Sequence, residues 1–291
     1  MRHTGIVVGT DGSAPSRIAV RWAAGEARLH AAPLTVFIAY SWAGPPEVHG
    51  GAGRPDVVAR RFEDMAAAAA TEAEAMEPGI DVRGTAVIGD PATALLQAGR
   101  TASMLVVGNR GRGGFASLLL GSVSQHVVTH ATGPVVVVRG RAVHRSGPVV
   151  VGVDDAASAQ HTLALGFDEA HLRGCGLLAV HCCPMPMPPY GMDMPALPYD
   201  PDAVWWDAAR DLDAILAPWR DKYPTVPVDA LTRPGSPAKN LRTVSGDASL
   251  LIVGSRGYGT LVGSLFGSVG QQLLHHADCP ILVVHPGRGV R

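Results

Sequence analysis

The sequence Val106-Val-Gly-Asn-Arg-Gly-Arg-Gly-Gly-Phe-Ala-Ser-Leu-Leu-Leu-Gly-Ser-Val-Ser124 decides the fold, because it leads a short apolar run through a glycine-rich loop into a helix. Glycines let backbone N–H groups approach an anion closely, and the first turn of a helix adds unpaired donors at the positive end of its dipole. The bare backbone and two hydroxyl groups come from Gly108, Gly111, Gly121, Ser122 and Ser124. The stretch therefore predicts a phosphate-binding turn between a strand and a helix.

The same spacing, Gly-x2-Gly-x9-Gly-Ser, occurs a second time at Gly254, Gly257, Gly267 and Ser268. One glycine-rich loop is a weak signal, but two matched copies in a chain of 291 residues indicate an internal duplication. We therefore predict two domains, 1–140 (the first half) and 147–291 (the second half), separated by an arginine-containing linker. Because duplicated domains tend to pair about a two-fold axis, we expect them to form a pseudo-dimer within one chain.

Strands and helices alternate along each half. In the first half, an opening strand ends at Thr10-Asp11-Gly12, and Ser13 is the predicted N-cap of a helix that runs to about His30. We predict further strands at 34–40, 81–88, 104–107 and 134–138, and further helices at 56–76, 92–100 and 123–130. The run at 104–107 has no polar position, which is typical of a parallel sheet covered on both faces. This order predicts a doubly wound α/β fold in each half.

The composition excludes several functional classes. With 24 basic and 25 acidic residues, the formal charge of -1 gives no overall attraction to nucleic acid or to an anionic membrane. No apolar stretch reaches the roughly 18 to 20 residues that a membrane span needs, and the start reads as a strand, so we expect a cytoplasmic protein. The two lysines, Lys222 and Lys239, do not follow a glycine, which excludes a P-loop.

The cysteines and methionines of the second half leave two interpretations open. Cys175, Cys182, Cys183 and Cys279 lack Cys-x2-Cys spacing, which argues against a zinc site or a disulfide framework. The stretch from His181 to Met194 holds soft ligands that suit Cu(I), yet its methionines alternate with prolines. The favoured interpretation is a mobile flap beside the second glycine loop (184–201), and we expect no metal site.

The residues also match a known family. The opening Val-Gly-Thr-Asp-Gly-Ser, the repeated Gly-x2-Gly-x9-Gly-Ser loop and the apolar strand after a proline together resemble the universal stress protein family in its tandem two-domain form, common in actinobacteria. The resemblance covers nearly the whole chain, once in each half. It implies an α/β fold of five parallel strands per half, in the order 3-2-1-4-5, with ATP held at the carboxyl ends of the strands. Open α/β sheets in general bind ligands there.

The resemblance also implies site residues. In nucleotide-binding members, the acidic residue that ends the first strand contacts the nucleoside, and the loop glycines and hydroxyl residues hold ribose and phosphates. Carried over, the candidates are Gly9, Thr10, Asp11, Gly108, Arg110, Gly111, Gly121, Ser122, Val123 and Ser124, then Gly152, Asp154, Gly254, Gly257, Gly267, Ser268 and Val269. The alternative for Asp11 and Asp154 is that they are ordinary turn aspartates. The alternative for Arg110, Arg112 and Arg256 is that they are exposed loop arginines that contact no ligand. Mg²⁺ is expected with the triphosphate.

The two halves differ at their candidate sites. Asp155 and Ala156 replace Gly12 and Ser13, and Gly270 stands in the place of Ser124. An added carboxylate disfavours an anionic ligand, and a hydroxyl group is lost. We predict weaker nucleotide binding in the second half.

Three functions follow as alternatives. The leading one is a regulatory or sensory ATP-binding protein of the stress response, whose occupancy changes shape or the choice of an unknown protein partner. The second is an enzyme, either an ATP hydrolase or a phosphotransferase, although no residue is evident that would position water, so any hydrolysis should be slow. The third is a scaffold without nucleotide, or a cyclic AMP binder. The terminal strands, 134–138 and 280–284, are candidate sheet edges for self-association.

Overall fold

The computed structural model describes residues 5–41, 55–111, 120–139, 147–154, 156–183, 201–255 and 266–285. The strands are β1 (Ile6–Gly9), β2 (Leu34–Tyr40), β3 (Val82–Ile88), β4 (Met104–Gly108), β5 (Val135–Val138), β6 (Val149–Val153), β7 (Leu177–Cys183), β8 (Val228–Pro234), β9 (Leu250–Gly254) and β10 (Ile281–Val284). The helices are α1 (Ala14–Leu29), α2 (Pro55–Met76), α3 (Pro91–Gly99), α4 (Ser122–His130), α5 (Ala156–Arg173), α6 (Pro201–Lys222), α7 (Pro237–Ser245) and α8 (Ser268–His276). The alternation predicted for both halves is confirmed.

All the described strands form one sheet in the order β3-β2-β1-β4-β5-β10-β9-β6-β7-β8. Within each half the paired strands are parallel and follow the order 3-2-1-4-5, as predicted. The halves meet where β5 pairs antiparallel with β10, with Val136 opposite Leu282. This arrangement makes the two halves a pseudo-dimer about that strand pair.

The terminal strands are therefore not sheet edges, and the prediction that they are available for self-association is wrong. Every residue of β5 and β10 is buried, because each strand covers the edge of the other and helices cover both faces of the sheet. A partner in the same chain has a high effective concentration, which favours this pairing over pairing with a second copy. The edges of the described sheet are β3 and β8.

Helices cover both faces of the sheet. Side chains alternate along β1, so that Ile6 and Val8 lie on one face of the sheet and Val7 on the other. The first face is covered by α1, α2, α5 and α6, and the second by α3, α4, α7 and α8. The β-sheet is thus the middle of three layers, which explains why its inner strands β1, β4, β5, β6, β9 and β10 are apolar at nearly every position. Among the residues described, no helix combines the length and the apolar character that a membrane span requires.

Two side chains form hydrogen-bond contacts across the halves. Arg139, just after β5, donates from Nη1 to the carbonyl groups of Leu273 and Leu274 near the end of α8. His285, just after β10, places Nε2 2.7 Å from the carbonyl oxygen of Val128 in α4 and Nδ1 3.0 Å from that of Gly133. Each half thus places a nitrogen-bearing side chain against carbonyl groups near the end of a helix in the other half.

Candidate functional site

The carboxyl ends of β1 and β4 form the crevice in the first half. These strands are parallel neighbours, and the next strand on the other side of β1 is β2, so the order of the chain reverses between β1 and β4. At such a point the connections leave in opposite directions and open a space above the sheet. The turn after β1 and the glycine loop after β4 both begin there. We call residues 10–13, 108–111 and 121–124 the first cradle.

Hydroxyl groups fix the turn after β1. The side-chain oxygens of Thr10 and Ser16 lie 2.9 Å apart, and both residues are buried. The N–H of Gly12 donates to Thr10 Oγ1 (3.1 Å), and the N–H of Asp11 donates to Ser16 Oγ (3.4 Å). Ser13 is the N-cap of α1, as predicted, and accepts from the N–H of Ser16. The backbone of the cradle is therefore held in place before any ligand arrives.

Asp11 and Gly111 lie against each other. The N–H of Ser13 donates to Asp11 Oδ1 (3.0 Å), which is the turn role considered as the alternative. A Cβ at Gly111 would lie 2.6 Å from Asp11 Oδ2, far closer than real Cβ contacts. The structure thus brings together the carboxylate and the loop glycine that the sequence singled out, and it explains why position 111 has no side chain.

The other glycines of the cradle serve close approaches of the backbone. A Cβ at Gly108 would lie 3.0 Å from the carbonyl oxygen of Pro15, because β4 runs directly beside the start of α1. The N–H of Gly121 donates to the carbonyl of Asn109 (2.8 Å), which draws the two ends of the loop together. A Cβ at Gly9 would lie 2.8 Å from the side chain of Leu95, so Gly9 serves packing.

The serines at the start of α4 differ in role. Ser122 is exposed at the first turn, and Val123 behind it packs on the core. Ser124 is buried, and its hydroxyl donates to the carbonyl of Gly108 (2.7 Å). The sequence suggested that Ser124 directs a hydroxyl donor at a ligand; instead, its hydrogen ties α4 to β4, because a buried carbonyl needs a partner.

Arg110 is the cationic residue of the described part of the loop. Its Nε is buried and makes no hydrogen bond with the described residues. Burial, first of all, and to a smaller extent repulsion from Arg110 lower the pKa of Arg139. The loop therefore adds positive charge near the cradle. Arg112 and residues 113–119 lie outside the described residues.

The second half repeats this frame. The N–H of Gly267 donates to the carbonyl of Ser255 (2.9 Å), as Gly121 does to Asn109. A Cβ at Gly152 would lie 3.2 Å from the side chain of Leu241, as one at Gly9 approaches Leu95. Asp154 is exposed at the end of β6, Gly254 ends β9, and Ser268 and Val269 begin α8. Asp155, Arg256 and Gly257 lie outside the described residues.

Comparison with known proteins now decides the family. The model of the universal stress protein family matches residues 4–139 and again 146–285. The chain belongs to the universal stress protein family. A universal stress protein of Mycolicibacterium smegmatis is 35% identical and one of Mycobacterium tuberculosis 34%, each alignment covering 97% of both chains. The crystal structure of a universal stress protein from Archaeoglobus fulgidus has the same fold, with a TM-score of 0.73 at 20% identity over 99% of this chain and 100% of that one.

The two universal stress protein units are not equal at their sites. Val153 and Ala159, both buried, occupy the places of Thr10 and Ser16, so the hydroxyl contacts of the first unit cannot form. A Cβ at Gly270 would lie 2.6 Å from the ring of Phe266, which leaves no room for a serine like Ser124. The second cradle (residues 153–154, 254–255 and 267–270) therefore lacks both polar ties, and apolar packing takes their place.

The stretch proposed as a flap or Cu(I) site in the second unit is only partly described. His181 lies in β7, where Nδ1 is 3.0 Å from the carbonyl oxygen of Val153. Asn240 donates to Cys182 Sγ at 3.5 Å, and burial raises the pKa of the Cys182 and Cys183 thiols. Protonated thiols are poor metal ligands. Residues 184–200 lie outside the described residues, so both interpretations stay predictions.

Proposed function

We propose that this universal stress protein binds ATP in its first cradle, and that occupancy regulates a partner protein by changing the shape of the paired domains 1–140 and 147–291. The observation that carries the proposal is the contact between Gly111 and the carboxylate of Asp11 at the mouth of the crevice. A carboxylate accepts hydrogen bonds from sugar hydroxyl or base amino groups, while bare peptide N–H groups bind phosphate. A nucleoside phosphate needs both, side by side.

The start of α4 supports the position of the phosphates. The N-termini of α1, α3 and α7 are capped by the side chains of Ser13, Asp90 and Ser236. The N-cap of α4 is Gly121, which forms no side-chain cap, and Ser122 beside it is exposed. The donors of this first turn are therefore left for an anion, at the end of the loop that the family shares. The unpaired Nε of Arg110 adds a charged donor for a polyphosphate.

Binding fits these residues better than rapid phosphoryl transfer does. Fast transfer uses a lysine or arginine at the outer phosphate and a residue that orients the attacking oxygen. Arg110 is available as the cation, but the sequence offers no evident residue that would orient the attacking oxygen. Mg²⁺ would accompany ATP and neutralise part of its charge. We accordingly propose a regulatory ATP-binding protein with slow hydrolysis at most.

The first cradle is the stronger site in this proposal. Its turn is fixed by the hydroxyl contacts of Thr10, Ser13 and Ser16, so little conformational freedom is lost when a ligand binds. The second half has Val153 and Ala159 at two of these positions, and its sequence adds the carboxylate of Asp155 where the first half has Gly12. Weaker binding there follows from less order before binding and from greater negative charge.

The proposal predicts that the purified full-length protein retains ATP. Nucleotide released by denaturing the protein would be identified by mass spectrometry, and the same protein, once stripped, would be titrated with ATP, AMP and cyclic AMP. We expect ATP to dominate the extract and to bind most tightly. Cyclic AMP alone in the extract would favour the cyclic nucleotide alternative. A protein that retains none of these and binds none when they are added contradicts the proposal.

A further inference from the structure

Four charged side chains meet between the two halves, on the face of the sheet opposite Arg139 and His285. Glu26 lies in α1 and His30 is the C-cap residue of that helix, while Glu169 and Arg173 lie in α5. In each helix the two residues are one turn apart, so that they point the same way. Under the pseudo-symmetry of the halves, Glu26 corresponds to Glu169 and His30 corresponds to Arg173.

Each carboxylate divides its oxygens between the two cations. Arg173 donates from Nη2 to Glu26 Oε1 (2.6 Å) and from Nη1 to Glu169 Oε2. The remaining oxygens face His30, whose Nε2 lies 3.2 Å from Glu169 Oε1 and 3.5 Å from Glu26 Oε2. Arg173 thus binds one oxygen of each carboxylate. The other oxygen of each carboxylate faces a common point beside His30 Nε2.

Two of the three atoms around that point lack a hydrogen bond within the described part of the chain. The side chain of Glu26 is 0% exposed and that of Glu169 only 2%. Glu26 Oε2 and His30 Nε2 are buried, and neither has a hydrogen-bond partner among the described residues. Buried polar atoms are nearly always satisfied. The 3.5 Å contact between Glu26 Oε2 and His30 Nε2 meets no hydrogen-bond criterion, so both atoms have capacity for a ligand. An acceptor carboxylate oxygen together with an imidazole nitrogen calls for a cation.

We propose that Glu26 Oε2, His30 Nε2 and Glu169 Oε1 bind a Zn²⁺ ion that joins the two halves. These three atoms lie within 4.8 Å of one another. Bonds of about 2.0 to 2.2 Å from a tetrahedral zinc place neighbouring ligand atoms roughly 3.3 to 3.6 Å apart, close to the 3.2 and 3.5 Å measured from His30 Nε2. Water would complete the coordination, since His30 is partly exposed. Arg173 would orient the carboxylates from outside.

The charge of the pocket also favours a cation. With a neutral imidazole, the two carboxylates and Arg173 leave one net negative charge at the centre. Without metal, His30 Nε2 faces the two carboxylates, 3.2 Å from Glu169 Oε1 and 3.5 Å from Glu26 Oε2. A zinc ion would bind at this nitrogen and take the place of those contacts.

The test uses the full chain, freed of metal with a chelator and titrated with ZnCl₂ at pH 8 by calorimetry and by thermal unfolding. We expect saturable binding that raises Tm, and at least about tenfold weaker binding in Glu169→Gln and in His30→Gln. The matched control is Glu72→Gln, which removes an exposed carboxylate paired with Arg21 and should leave zinc binding unchanged. Equal affinity in wild type and Glu169→Gln, or no binding to wild type, would overturn the proposal.

Titration of the wild-type chain with Co²⁺ keeps the test decisive should a variant fail to fold. A site made of one imidazole and two carboxylates is expected to give visible d–d bands without thiolate charge-transfer absorption. Thiolate absorption would assign the metal to the cysteines and overturn the proposal, as would the absence of any saturating spectrum.

Discussion

Gly111→Val is expected to weaken ATP binding to the full chain by about tenfold to a hundredfold. A Cβ at this position would lie 2.6 Å from Asp11 Oδ2, and the two methyl groups of valine would press further into the crevice. The change must displace either the carboxylate or the loop, and overpacking of this kind costs roughly 1 to 3 kcal/mol, which is one to two factors of ten in affinity. Calorimetric titration of the variant and the wild type measures the effect.

Two further variants serve as matched controls for this prediction. Gly133→Val introduces the same side chain in the turn after α4, where a Cβ meets nothing within 4 Å, and should leave ATP binding intact. Gly257→Val, in the second copy of the loop, should remove only the weaker site. Unchanged binding in Gly111→Val would contradict the first cradle as the site, and equal losses in the two loop variants would contradict the inequality of the halves.

Val136→Asp should lower the free energy of unfolding by about 3 to 5 kcal/mol, the largest stability effect that we expect in this chain. Val136 is 0% exposed, lies in the β5–β10 pair opposite Leu282, and packs in the core beneath α1 and α5. A carboxylate there has no charged partner on the strand it faces, so it must be desolvated or protonated. Urea denaturation monitored by circular dichroism measures the change.

The control for this second prediction places the same charge elsewhere in the same sheet. Ile88 ends β3 at the edge and is 64% exposed, so Ile88→Asp should change the free energy of unfolding by no more than about 0.5 kcal/mol. If Val136→Asp were as mild as Ile88→Asp, the pairing of β5 with β10 could not be the buried seam between the halves.

Much of the fold can be predicted from the sequence, because the residues that begin and end each helix and strand lie next to one another in the chain. Apolar runs, a capping serine at Ser13 and turn residues such as Gly89 and Pro91 fix where elements begin and end, and the structure has them within about one residue of the predicted bounds. The pairing of β5 with β10 is different. A strand of valines looks the same whether its partner belongs to the same chain or to another, so the sequence could not choose between an edge and an internal seam.

The roles of individual side chains at the site were harder to predict. The spacing of the glycines predicted the cradle, but it could not show that the Ser124 hydroxyl donates its hydrogen bond to the carbonyl of Gly108. Nor could it show that Phe266 fills the space beside Gly270. Both contacts depend on the angle at which a helix meets a strand, which is a property of the packed domain and not of the motif.

The charged cluster between the halves escaped the sequence analysis for a related reason. Glu26 and His30, like Glu169 and Arg173, have the spacing of an ordinary solvated helix face. They become a buried cluster only because the β5–β10 pairing brings α1 beside α5. Long-range contacts of this kind leave no local pattern in a single sequence.

Amide hydrogen exchange of the full chain, with and without ATP and Mg²⁺, tests the nucleotide site most directly, because it locates the ligand without changing a residue. We predict slower exchange in peptides that contain residues 9–16 and 108–124, and a smaller effect in those that contain 152–154 and 254–270. Protection that spares the first two segments while ATP is bound, or appears only elsewhere in the chain, would contradict the account.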